Sequence, residues 1–283
     1  MSVCGIHNCT HTRSHQRITV VNPRGPVLAR QYVATFIGLD LAWKASNESG
    51  ICWLEGETPA DLTCSRLEAE ARSVEDLADE IAEVPGTVVV AIDAPLLYTP
   101  NRWVEKEIGR QFSRYKASAH SAHAAVRQGS KAGIDLGNAL QQHGFTLDPK
   151  ALEQVGNDCR AAVEVYPHTI HVRLFDLEKR LPYKKKKRRP VADRRDVFQR
   201  YQRHLQELID REVPGVLKNA AVDSALAPET AESAKGVSLK RLEDKLDGIT
   251  CAMAAWLWWN NKDAWETIGD SNGYMVVPCA GGN

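Results

Sequence analysis

The chain has 283 residues, with 36 Lys+Arg against 36 Asp+Glu, so its formal net charge is zero; 43% of residues are hydrophobic and 25% charged. This is the composition of a globular protein with a substantial core, and it excludes a molecule drawn as a whole to nucleic acid, whose footprint would have to be local. No apolar run reaches the ~20 residues of a membrane span, so no membrane partner is expected.

Residues 1–30 carry no helix or strand periodicity and are expected to be a disordered extension, followed by one domain over 31–283. Cys4, His7, Cys9 and His11 offer zinc donors, but so crowded a spacing fits no common finger. The run 33–41 ("VATFIGLDL") is apolar enough for a central strand. "SGICWLEGE" (49–57) and "DLTCSRLEA" (61–69) follow after short connections, which favours antiparallel hairpins. "SVEDLADEIAEVPG" predicts a helix capped by Ser73, with acidic residues in its first turn and Leu77, Ile81 and Val84 on one face. It leads into "TVVVAIDAPL", a continuous apolar strand of the kind found where a sheet is covered on both faces.

A helical insertion is expected over about 101–160, rich in Arg, Lys, His and Gln. "AAVEVYP" (161–167) reads as a fifth core strand, and "HTIHVRLFDLEKRL" as a helix broken by "YKKKKRRP". An amphipathic helix should start near Asp193, and a small-residue loop is expected over about 220–236. A last helix, with Ser238 as its N-cap, turns strongly apolar after Asp247. "GYMVVP" then suggests a short edge strand. Of the seven cysteines, Cys52, Cys159 and Cys251 lie in apolar segments, where a free thiol packs as a small core residue. With no leader pattern at the start, a cytoplasmic location is expected.

Two strands of this series carry an aspartate near the end, Asp40 and Asp93, and an unpaired carboxylate in a buried strand costs several kcal/mol, roughly. Each alone has a plain structural reading. Asp40 would cap a turn, Asp93 would accept backbone hydrogen bonds ahead of Pro95, and Asp247 would pair with Lys245 or Arg241. Together they suggest a shared polar site. The order strand, strand, strand, helix, strand, helices, strand, helices resembles the ribonuclease-H-like fold, an α/β architecture with a mixed five-stranded sheet and helices on both faces. "GLDLAW", "AIDAPL", "EVYPH", "KLDGITCAMAAW" and "GYMVVP" resemble the family known as domain of unknown function 429, described as predicted nucleases of that fold.

The resemblance implies an enzyme, a metal-dependent nuclease or phosphodiesterase, in which Asp40, Asp93 and Asp247 are catalytic and hold Mg²⁺ or Mn²⁺. Asp244, one turn earlier on the same helix face, and Glu164 are further candidate ligands. The chemistry agrees, because Mg²⁺ takes hard oxygen donors and is commonly held by few carboxylates plus substrate phosphate. Glu164 has a competing reading, as the partner of an arginine. Arg110, Arg114, Lys116, His120 and His123, in the segment after Asp93, are the expected contacts to a nucleic-acid partner, RNA or DNA. The basic run 184–189 reads equally as backbone-tracking patch or solvated loop. Alternatives are an actin-like-fold phosphotransferase or ATPase, for which the glycine-rich loops are missing, and a catalytically silent binding module.

Overall fold

The computed structural model describes residues 33–281 except 45, 154, 155, 157, 158 and 188; the extension at 1–30 and the Cys4–His11 reading lie outside the described residues. The first strand, β1 (Thr35–Asp40), is apolar on both faces. It pairs antiparallel with β2 (Ser49–Glu55), which pairs antiparallel with β3 (Thr63–Glu70). Helix α1 (Val74–Glu83) starts where expected, the Ser73 hydroxyl accepting the Asp76 N–H at 3.0 Å. It returns the chain to β4 (Val88–Ile92), which is parallel to β1. Between β4 and the next strand come only helical elements and turns: α2 (Val104–Phe112), α3 (Ala122–Arg127), α4 (Ala132–Gln142) and α5 (Pro149–Leu152). The fifth strand, β5 (Arg160–Glu164), is parallel to β4 and completes the order β3-β2-β1-β4-β5. That order makes the fold ribonuclease-H-like.

Alternation along the strands sends successive side chains to opposite layers. Ile37, Leu39, Val88, Val90 and Ile92 pack with Leu77 and Ile81 of α1 and Leu136 and Leu140 of α4. Phe36, Cys52, Val89, Ala91 and Val163 face the other layer. There lie α6 (Pro167–Leu174), α7 (Val191–Glu212), the short α8 (Ala220–Leu226) and α9 (Pro228–Ser233), and α10 (Val237–Asn260). The last two strands, β6 (Trp265–Asp270) and β7 (Gly273–Pro278), form a hairpin of their own.

Three sequence expectations are corrected. The stretch 220–236 is not a loop, because Asn219 caps α8 with its side chain and Pro228 occupies the first turn of α9. Ser238 does not cap α10, which begins at Val237 after Gly236; its hydroxyl instead bonds the Lys235 backbone. The helix after β5 also ends early, at Leu174, and Asp176 takes a positive φ of 47°. "GYMVVP" does form a short edge strand, paired on one side by 265–270 in a hairpin apart from the main sheet.

Helix α10 lies directly on the sheet, and glycine makes that possible. A Cβ on Gly38 would sit 2.1 Å from the Ala252 nitrogen, and one on Gly50 would sit 1.8 Å from the Asp244 carbonyl oxygen. Asp244, Gly248 and Ala252 are spaced four apart and so share the face that meets β1 and β2. Backbone-to-backbone contact thereby brings the acidic turn of α10 against the end of β1.

Candidate functional site

The parallel register pairs Leu39 with Ile92 and Ile92 with Glu164, so the next residues of β1 and β4 bring Asp40 and Asp93 side by side at the carboxyl edge of the sheet. The Asp93 amide fixes the alignment by donating to the Leu39 carbonyl at 2.8 Å. A cleft of about 550 Å³ opens above this edge, with Asp40, Asp93, Glu164, Glu243 and Asp244 in its wall. The sequence-predicted aspartates are therefore neighbours, as a shared site requires.

Asp244 lies within hydrogen-bonding reach of Asp40, while its Oδ2 has no hydrogen-bond donor. Burial, then repulsion from Asp40, pushes the Asp244 carboxyl up to about 8, even though Lys240 hydrogen-bonds its other oxygen. Burial likewise raises Asp40, and raises Asp93 well above the ordinary range, each reinforced by the neighbouring carboxylates. Asp247 is fully buried behind this pair. Its Oδ1 accepts the Tyr183 hydroxyl at 2.7 Å and lies 3.0 Å from the Tyr201 hydroxyl; its Oδ2 is 3.2 Å from Lys184 Nζ. Of the partners foreseen from sequence, Arg241 is bound to Glu48 at the surface instead.

Lys184 and Lys240 are the cations of the site. Burial works against the charge on Lys184, but Asp247, Asp40 and Asp93 together outweigh it and hold the ammonium protonated. Lys240 behaves alike, between Glu243, Asp40 and Asp244.

Glu164 resolves towards its arginine. Arg102 Nη2 and Nη1 donate to its two oxygens at 2.5 and 3.0 Å, and the Leu96 amide adds a third bond at 3.1 Å. Burial still lifts its carboxyl to about 7 against the pull of Arg102. With both oxygens engaged, Glu164 braces the turn after Asp93, and Arg102 extends the brace to Leu97 O and Glu105.

The expected substrate contacts divide. His120 lines the cleft. His123 sits between the Tyr98 hydroxyl and the Arg102 carbonyl, at 2.9 Å from each. Arg110 is exposed and bound to Glu107 on its own helix; α2 stops at Phe112, so Arg114 does not follow it on one helix face but stacks on Tyr115. Neither arginine lines the cleft, and Lys116 lies beyond it. Instead the cationic wall comes from Arg180 and from Lys184, Lys185, Lys186 and Arg189 of the run that sequence left undecided. Trp43, 53% exposed, stands at the rim; as one aromatic at the end of "GLDLAW" it carries no pattern that marks a contact from sequence.

The donor set fits a hard divalent cation in kind: carboxylate oxygens at an open edge, an orphaned Asp244 oxygen, and mutual repulsion that added positive charge would relieve. Among the described residues, though, no three His, Cys, Asp or Glu side chains are gathered tightly enough to hold one as they stand. Two lysines supply the neutralising charge instead.

No helix among the described residues is long and apolar enough to cross a membrane. No curated protein matches the chain. Among solved structures it is similar to the yeast mitochondrial Holliday junction resolvase Ydc2, at 11% identity over 80% of this chain and 78% of that one, with a TM-score of 0.38, too distant to bear on function. The family model described as Protein of unknown function (DUF429) matches residues 38–270, from the middle of β1 to the end of β6. The chain belongs to the DUF429 family.

Proposed function

We propose that the cleft hydrolyses phosphodiesters of nucleic acid with the help of Mg²⁺ or Mn²⁺. The observation that carries this is that Asp40, Asp93 and Asp244 line one cleft at the open sheet edge, under a wall of Arg180, Lys185, Lys186 and Arg189. Asp40, Asp93 and Asp244 would hold the cation, with Asp247 behind them. When bound, it would supply positive charge to the phosphoryl oxygens and acidify water.

The chain's own residues do the rest. The cationic wall binds and orients the phosphate backbone. Lys184 and Lys240 offset part of the burial and mutual repulsion that raise Asp40, Asp93 and Asp244. Tyr183 and Tyr201 fix Asp247, and Arg102 with Glu164 fixes the turn that follows Asp93.

One observation favours a second reading. Because Lys184 and Lys240 already neutralise the cluster, the same cleft would also serve a protein that binds nucleic acid without cutting it. The two readings part in a cleavage assay on RNA, DNA and branched substrates with and without Mn²⁺, run beside a binding titration. Hydrolysis is expected that needs Mn²⁺ and is abolished by Asp93→Asn, with binding retained. Binding with no cleavage of any substrate would select the silent module.

A further inference from the structure

A second concavity, of about 670 Å³, lies beside the cleft and shares with it Arg180, Leu181, Pro182, Lys186 and Arg189. Its remaining wall is the turn after α2 with Lys116, the segment 177–179 with Lys179, and one face of α7 carrying Arg200 and His204 four residues apart. We propose that this concavity is a phosphate-binding extension of the cleft that takes the backbone of a nucleic-acid strand running out of it, so that the substrate is a strand and not a mononucleotide. This rests on the reading of the cleft as a phosphodiester site.

Three observations carry it. The first is charge: six lysines and arginines line the concavity and Glu178 is the one acidic residue among its lining groups. In a chain of zero net charge, that is a local excess. The second is pairing. Several exposed arginines elsewhere sit on carboxylates, as Arg110 does on Glu107, Arg211 on Glu212 and Arg241 on Glu48, while Arg114 stacks on Tyr115. Among the described residues, Lys116, Lys179, Arg180, Lys186 and Arg200 have no carboxylate within ion-pair distance. Unpaired cations in a concave wall repel one another, and a polyanion relieves that repulsion with release of counterions.

The third observation is that the wall is built. The Arg180 amide donates to the Tyr115 carbonyl at 2.8 Å, tying the 177–182 segment to the turn that carries Lys116. Lys116 itself occupies a left-handed position, φ 59°, with its amide on Ser113 O at 2.9 Å. Arg189 turns its guanidinium inward onto the Pro182 and Lys184 carbonyls, the latter at 3.0 Å, and so closes the shared wall. Leu177, Leu181 and Pro182 give it an apolar lining against which a sugar can rest. Strand and cleft are thus continuous: a chain bound over Asp40 and Asp93 has a cationic path to leave by.

The test is fluorescence anisotropy with labelled single-stranded RNA and DNA oligonucleotides in EDTA, across a series of salt concentrations. The double variant Lys116→Ala/Arg200→Ala should weaken binding and flatten the slope of log K against log salt by up to about 1.4, two contacts at ~0.7 each for a single strand. Arg110→Ala/Arg211→Ala, which removes two paired arginines, should leave the slope unchanged. In the presence of Mn²⁺ the pocket variant should lose cleavage of the oligonucleotide but keep that of a small chromogenic phosphodiester. An unchanged salt slope, or full competition by a 5′-mononucleotide at the concentration that competes as a strand, overturns the proposal. If Asp93→Asn abolishes cleavage while the pocket variant cuts strands normally, the extension is wrong and the nuclease reading stands. If the slope flattens but nothing is cleaved, the extension stands and the nuclease reading falls.

Discussion

Replacing Gly50 by alanine tests whether α10 positions the acidic site. The added Cβ would stand 1.8 Å from the Asp244 carbonyl oxygen, where real Cβ contacts do not come under 3.0 Å. Helix and strand must therefore separate by about 1.2 Å, backbone against backbone, with no side chain free to yield; overpacking of this kind costs ~3 kcal/mol or more. For a chain of this size each kcal/mol lowers the melting temperature by roughly 2–4 °C, so a fall of roughly 6–12 °C is expected. The displacement also moves Asp244 away from Asp40, and a misplacement near 1 Å costs on the order of 100-fold in rate. Gly109→Ala is the companion variant. It lies in α2 with nothing near its missing Cβ, so alanine should stabilise by about 0.5–1 kcal/mol and leave activity alone. Thermal melts and the Mn²⁺-supported assay on both variants decide the matter. A Gly50→Ala protein with unchanged melting temperature and activity would refute the reasoning.

Arg102→Ala should cost about 3–5 kcal/mol in denaturant titration, since it strands the buried Glu164 carboxylate, and Arg102→Lys should not restore it, lacking the two-pronged contact. Lys184→Gln should destabilise by less, about 1–3 kcal/mol, because the Lys184 side chain is 39% exposed and partly screened. The metal-free protein should lose stability as pH rises from about 6.5 to about 8. Asp244 (about 8) and Glu164 (about 7) hold their protons more tightly folded than unfolded, so the folded state binds more protons and stability falls by up to ~1.4 kcal/mol per pH unit per proton. Below 6.5 the buried His168 and His171, both depressed by burial, oppose this trend. Melts in EDTA should show the decline, Asp244→Asn should reduce it, and the gain from Mn²⁺ should be larger at pH 8 than at pH 6.5.

The sheet was legible because each strand announces itself. β1 and β4 are unbroken apolar runs, and short links after β1 and β2 leave room only for hairpins. Asp40 and Asp93 stood out for the same reason, as charges in strands otherwise built for burial. What sequence hid was the third dimension. Nothing in "SGICWLE" says that Gly50 touches Asp244, 194 positions along the chain, so the dependence of the site on glycine appears only in the packing. Arg110 and Arg114 suggested themselves by nearness to Asp93 along the chain, yet Arg110 pairs with Glu107 and Arg114 stacks on Tyr115, while Lys184, Lys185, Lys186 and Arg189 return to the cleft from beyond β5. Glu164 needed Arg102, 62 positions earlier, before its role as a brace was visible.

The central claim is that the aspartates at the sheet edge hold a divalent cation. A crystal soaked in Mn²⁺ and measured at its absorption edge tests it most directly. The account predicts an anomalous peak between Asp40 and Asp93, with Asp244 in contact and the Lys184 ammonium withdrawn from Asp247. A cleft without a peak, Lys184 still on Asp247 at millimolar Mn²⁺, would contradict it.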